Sequence, residues 1–436
     1  MRNFCLSAAL AAMAPLSLAQ PVAAREPAKD AAKPAPTIDR RIGQLVPLIK
    51  GEITPESFFS PTFLAAVPSA QFKAISASIT AQYGQPTRIV SATPARSNGA
   101  TVKLAFEKAV ATVEVDVEPG AEGKVIGLLI SGFEVTGDSL EAINAEFAAL
   151  PGGSGFLLAA LNDDGRISPI ASRNPDQQFA IGSTFKLYIL AQLASEVRAG
   201  KRQWNDVVPL THHSFSSTAT QGWPKDSPVT LHTLAGWMIS VSDNGATDTL
   251  LSLLGREAVE QKLASIGHSA PDKTLPFLST VEAFALKADA PLRTRFLAAS
   301  EAQQRVLLDK EAAQLTLEKA TGGGIGGAPA SIDTIEWFAS AQDIGNLMRH
   351  IRMQRDDRMM AILSINDGLG AAAAKKWRYV GYKGGSEPGV ISMSYLLQSP
   401  AGKWYIASGS WNDTQQEIDK ARFAALMERL VGVALN

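Results

Sequence analysis

The sequence has almost no cysteine. Of its 436 residues only Cys5 carries a thiol, and it stands ahead of a short apolar run, not at the exit of that run. A disulfide framework, a cysteine nucleophile and a cysteine-based zinc site are therefore excluded for the rest of the chain. An excess of one charge is lacking too. The net charge is −1, and no basic cluster is interleaved with aromatics, which argues against a nucleic-acid groove or a polybasic membrane surface. Beyond the first residues no stretch approaches the roughly 20 apolar residues that a spanning helix requires. The expected partners are small molecules, with no nucleic acid and no transmembrane segment.

What is present is ordinary globular composition, 46% hydrophobic and 19% charged, in a chain long enough for more than one domain. The opening Met1-Arg2-Asn3-Phe4, an Ala/Leu/Met run and the small-residue exits near Ala19 and Ala24 read as a cleaved signal over residues 1–24. The protein is accordingly expected to be secreted or periplasmic. Residues 25–36, made largely of Ala, Pro, Lys and Glu, cannot bury a core and read as a flexible tether. Helical spacing over 38–50 and 69–83, followed by strand-like runs at 88–93, 101–106, 111–117 and 125–133, predicts a small α+β domain over residues 37–135. It contains no nucleophile–base pair, and a docking or scaffolding role is expected of it.

A second domain is expected over residues 138–436. Strands are predicted at 155–161 and 167–171, then a helix opening at Ser183-Thr184-Phe185-Lys186. Helices are predicted over 230–241, 246–263, 275–313 and 332–353, strands at 379–381, 390–398 and 404–410, and a closing helix over 415–435. Early and late strands around a helical block imply one sheet built from both ends of the domain. The glycine run at 321–327 follows a helical pattern instead of a strand, so it reads as a hinge and not a phosphate cradle. His212 and His213 lack a third ligand at metal-binding spacing and read as surface loop.

Three short words in this domain carry chemistry. Ser183 and Lys186 form the sole S-x-x-K of the chain. In a helix that spacing puts hydroxyl and amine on one face, where the amine can serve the hydroxyl as base. Free N–H groups at the helix start favour an alkoxide or oxyanion. The helix is apolar nearly all round, so Lys186 is expected to be buried. Ser242-Asp243-Asn244 follows the helix predicted over 230–241, and Lys383-Gly384-Gly385-Ser386 lies on a late strand.

The ordered trio S-x-x-K, S-D-N and K-G-G-S resembles the serine β-lactamase and penicillin-binding protein family. That resemblance implies the family's fold, an antiparallel sheet with a helical domain, and hydrolysis through an acyl-enzyme with no metal or cofactor. Position by position it implies Ser183 as nucleophile, Lys186 as the group that takes its proton directly or keeps the local network poised, Ser242 as proton relay and Lys383 as the cation opposite Ser242. Asn244 would bind substrate, the backbone N–H groups of Ser183 and Ser386 would make the oxyanion hole, and Gly385 would belong to the same substrate-binding group. Two neighbouring ammonium groups also lower each other's pKa, which suits Lys186 as a base.

The sequence departs from class A members of that family in two places. No E-x-x-L-N word occurs, Leu278 stands where its glutamate is expected, and nearby Glu282 reads as a solvated helix residue. Gly384 replaces a hydroxyl residue, and no Arg lies on strands 389–410 to compensate. The chain is most similar to two-domain members with an N-terminal steroid-isomerase-like or cystatin-like domain. The resemblance therefore implies hydrolysis of β-lactams or related esters, with a D-alanyl peptidase or a non-turnover penicillin-binding module as alternatives.

Overall fold

The computed structural model describes residues 36–119, 123–135, 137–322 and 328–435. The signal, nearly all of the tether and residues 323–327 of the glycine run lie outside them. In the first unit four strands, Pro86–Arg96, Gly99–Phe106, Ala109–Val117 and Val125–Val135, form an antiparallel meander in chain order. Alternation explains the third: Ala109, Ala111, Val113, Val115 and Val117 are buried, while Glu114 and its neighbours on that face point outward. The buried face is covered by Ile38, Leu45, Leu48, Phe58 and Phe72 from short helices and from helix Ser69–Tyr83. The helix expected over 38–50 is broken into Pro36–Gly43 and Leu45–Ile49. Pro47 has no N–H to donate to the Gly43 carbonyl four residues back, so the ladder is interrupted there.

The second unit is built on a five-stranded antiparallel sheet. Its order is Tyr379–Glu387, Val390–Gln398, Trp404–Asn412, Gly153–Leu161, Ile167–Arg173, so strands from both ends of the domain meet at Trp404–Asn412 and Gly153–Leu161. Helices Leu140–Ala148 and Lys420–Val433 cover one face through Phe147, Phe423, Leu426 and Met427. The helical block covers the other. At its centre runs helix Lys186–Arg198, with Leu187, Ile189, Leu190 and Leu193 fully buried. Each contributes about 1.5–3 kcal/mol of apolar burial, enough to fix the helix that carries Lys186.

Helix boundaries follow caps more closely than apolar period. The segment 275–313 is three helices, because Asp289 caps Ala290–Leu297 and Ser300 caps Glu301–Lys310. The helix expected from Ile332 starts only at Ala341, where Ser340 and Asp343 form a capping box. Phe338 and Ala339 before it pair with Phe179 and Ala180 as a short ribbon. The closing helix likewise starts at Lys420, after its cap Asp419.

The two units touch. A Cβ at Gly132 would stand 3.2 Å from the Cβ of Ala372, and Lys376 reaches Glu134 at 3.7 Å. Among the described residues no helix is long and apolar enough to cross a membrane.

Candidate active site

Ser183 lies in a single 3₁₀ turn, Gly182–Phe185, that runs straight into helix Lys186–Arg198. Gly182 has φ +47°, a left-handed backbone that a side chain would strain. The turn leaves Ser183 partly exposed and Lys186 fully buried.

Ser242-Asp243-Asn244 links helix Leu231–Ser240 to helix Asn244–Leu254. Ser242 itself holds φ +58°, costing about 1–2 kcal/mol for an L-residue. Asp243 keeps it there. Its buried carboxylate caps the following helix at Ala246 N–H (2.8 Å) and accepts from Ala219 N–H, Thr220 N–H and the Thr220 hydroxyl at 2.7–2.9 Å. The place of Asp243 in the word S-D-N is visible in the sequence, but this anchoring role is not.

Lys186 Nζ donates to the Ser242 carbonyl (2.6 Å), to Ser242 Oγ (3.1 Å) and to Asn244 Oδ1 (2.6 Å). Lys383 Nζ donates to the same Ser242 Oγ at 3.0 Å and to the Gly384 carbonyl at 2.5 Å. The two lysines and Ser242 are thus one connected chain. Three acceptors around Lys186 match an ammonium, since a neutral amine has only two N–H bonds to give. No hydrogen bond joins Lys186 to the Ser183 hydroxyl among the described residues, so the direct contact expected from the i, i+3 spacing is replaced by bonds to the S-D-N loop. Burial pulls the Lys186 pKa down to about 7, against the opposing pull of Asp248 and Asp243. Burial, and then the charge of Lys186, place Lys383 well below the ordinary lysine value.

Asn244 turns its amide outward from this chain, with Nδ2 donating to the Phe215 carbonyl at 3.0 Å. The third word lies on strand Tyr379–Glu387, which extends past the expected Gly381 because Lys383, Gly384 and Gly385 pair with Ser394, Met393 and Ser392. Gly385 faces the nucleophile turn so closely that a Cβ there would collide with the Ile181 carbonyl and Ser183 N, and would stand 2.6 Å from Thr184 N. The exposed Ser386 follows it along the strand, its N lying 3.0 Å from the place a Cβ on Gly182 would take. At Gly384 a Cβ would meet the Tyr382 phenol, which occupies the space a hydroxyl side chain would take.

Glu282 is not a solvated residue. It is the N3 partner of a capping box with Ser279 and makes a two-bond ion pair with Arg256 at 2.7 and 3.0 Å. Leu278 is buried, and its carbonyl accepts from Trp337 Nε1 at 3.1 Å. Removing the Glu282 carboxylate by Glu282→Ala is expected to lower stability by about 1–2 kcal/mol through the lost cap and pair. Thermal denaturation of the variant beside the wild type checks this.

His212 and His213 sit in a loop, His212 beside the Thr211 hydroxyl at 2.8 Å. Among the described residues no group of three His, Cys, Asp or Glu side chains is placed to hold a metal ion. A cavity of about 860 Å³ between Gln177, Phe179, Asp333 and Gln416 contains none of Ser183, Lys186, Ser242 or Lys383.

A family model described as "Beta-lactamase enzyme family" matches residues 139–430. The chain belongs to the beta-lactamase enzyme family. The first unit, up to Val135, lies outside the matched span. Among solved structures, a β-lactamase from Sphaerobacter thermophilus is 20% identical, with a TM-score of 0.47, over 68% of this chain and 95% of that one. A β-lactamase from Chitinophaga pinensis is 16% identical with a TM-score of 0.47, covering 68% and 98%. The structure of a protein named PBP-A is 17% identical with a TM-score of 0.46, covering 68% and 95%. A search of curated proteins returns no significant match.

Proposed function

We propose that this family member is an exported, class A-like serine hydrolase that forms an acyl-enzyme on Ser183 with β-lactams or related esters. The observation that carries the reading is the Lys186–Ser242–Lys383 hydrogen-bond chain beside a partly exposed Ser183. In acylation the Ser183 Oγ forms a bond to the carbonyl carbon and the acyl carbon–nitrogen (or ester carbon–oxygen) bond breaks. The Oγ proton passes to the neutral form of Lys186 and through Ser242 Oγ to the leaving atom, so no charge is left over. Ser183 and Ser386 N–H groups would hold the oxyanion, Asn244 the substrate amide and Lys383 a substrate anion. Water then releases the acid. Export rests on the reading of residues 1–24.

One observation favours a slow second half. Glu282, the carboxylate nearest in sequence to the expected deacylating position, is committed to Arg256, and Leu278 is apolar. A long-lived acyl-enzyme, as in a penicillin-binding module, is the second reading. Intact-mass spectrometry with a penicillin and a cephalosporin, with peptide mapping, tests both. The expected result is an adduct of ligand mass on the peptide holding Ser183, absent in Ser183→Ala, and ring-opened product accumulating beyond one equivalent. An adduct that persists without further product replaces hydrolysis with the second reading, and no adduct and no product with either ligand overturns both.

A further inference from the structure

We propose that Lys287, Glu336 and Glu387 form a positioning unit that locks the Ser183 turn to the Ser386 strand and so sets the spacing of the oxyanion hole. The inference rests on the acyl-transfer reading above. Lys287 Nζ, from helix Thr280–Ala288, donates to Glu336 Oε1 at 3.1 Å and to Glu387 Oε1 at 2.5 Å. The side chains are 1%, 1% and 8% exposed, respectively. The other Glu336 oxygen accepts from Gly182 N–H at 3.2 Å, one residue before the nucleophile, and from Trp337 N–H at 3.1 Å. Glu387 directly follows Ser386 on the strand that faces this turn. One ammonium therefore ties the backbone before Ser183 to the backbone after Ser386.

The physical case is one of cost and geometry. Two carboxylates and one ammonium out of water are a weak source of stability, and an apolar trio of similar volume would do as well or better. What apolar contacts would not supply is direction. Glu336 aims an acceptor at a single N–H of the turn, while Gly385 leaves no side chain to buffer the gap between turn and strand. Burial, together with the charge of Glu336, raises the Glu387 pKa against the pull of Lys287. Burial lowers Lys287, but Glu336 and Glu387 overcome it and hold the ammonium charged. The unit therefore keeps its cation near neutral pH. Glu336 is not arranged as a base, since both its oxygens are already occupied by Lys287, Gly182 and Trp337.

The test uses the full chain with Glu336→Gln and Glu387→Gln, both close in shape to the original. In Glu336→Gln one end of the side chain becomes an NH2 that must face a donor, so the tie to Gly182 or to Lys287 is lost. Acylation by a chromogenic cephalosporin is expected to slow by about 10-fold in Glu336→Gln and about 3-fold in Glu387→Gln, with KM within about twofold. The amide resonances of Gly182 and Ser386, read by NMR on specifically labelled protein, are expected to shift in both. Acylation within about twofold of wild type in the variants that fold, or a rise in KM alone, overturns the inference. If the wild type itself is not acylated, the functional reading fails separately, and the two amide resonances still decide: unchanged resonances overturn the positioning unit.

Discussion

Replacing Lys186 by alanine is expected to slow acylation of Ser183 by on the order of 10²–10⁴-fold, the usual contribution of a positioned base. The wild type should also show a distinct pH profile. Lys186 accepts a proton only as a free amine, and its pKa is pulled down to about 7, chiefly by burial. Below that value the amine is an ammonium, saturated by Ser242 and Asn244, and the acylation rate is expected to fall about tenfold per pH unit. Above it the rate levels off. The sign for stability is the reverse of a typical lysine salt bridge: the folded pKa lies below the unfolded value of about 10.4, so burial of this amine costs increasing stability as pH falls from there toward 7. Stopped-flow acylation from pH 5 to 9 decides the matter. A flat wild-type profile, or a Lys186→Ala variant within about threefold of wild type, would remove Lys186 from the role of base.

The loop geometry around Lys186 explains why that base is tuned and not simply buried. Asp243 anchors the loop with four hydrogen bonds, and Asp248, its own pKa raised to about 6 by burial, is held by Thr280 and Val281. These carboxylates oppose the downward pull of burial on Lys186. Lys186 in turn adds to the burial that holds Lys383 well below the ordinary lysine value, since an ammonium beside it disfavours a second charge.

The site words were legible because each is local. Ser183 to Lys186, Ser242 to Asn244 and Lys383 to Ser386 are short runs at element ends, and their order along the chain survives any uncertainty about the elements between them. The sheet was legible for a similar reason, as alternation in 390–398 and 404–410 is strong. What the sequence could not show were links between distant residues. Lys287 and Glu387 lie 100 positions apart and Lys287 and Glu336 lie 49 apart, and nothing in the periodicity of either segment separates a buried Glu from a solvated one. Glu282 was misread on the same ground, because its partner Arg256 belongs to another helix. Strand Tyr379–Glu387 runs on from the predicted 379–381 through the glycines to Glu387. Here the backbone comes close to a second segment, a circumstance that puts glycine inside a strand.

That close approach yields the other large effect. In Gly385→Ala the new Cβ would strike the Ile181 carbonyl, Ser183 N and Thr184 N, all of them backbone atoms with no rotamer to escape into. The strand has to draw back from the turn, and the Ser386 N–H leaves its place against the Gly182–Ser183 turn. The expected loss is about 10²–10³ in the acylation rate, the magnitude of one oxyanion donor, with about 1–3 kcal/mol of stability from the overpacked contact. Gly384→Ala is the internal comparison. Its Cβ would meet the tip of the Tyr382 side chain, with Cζ at 2.9 Å and the Ser392 carbonyl at 3.4 Å. A phenol can swing aside where a backbone cannot, so that variant is expected to stay within about fivefold of wild type. Acylation rates and melting temperatures of the two variants, taken side by side, separate a general intolerance of the strand from the specific contact. If a folded Gly385→Ala protein acylates as fast as Gly384→Ala, the juxtaposition of turn and strand is not what stabilises the oxyanion.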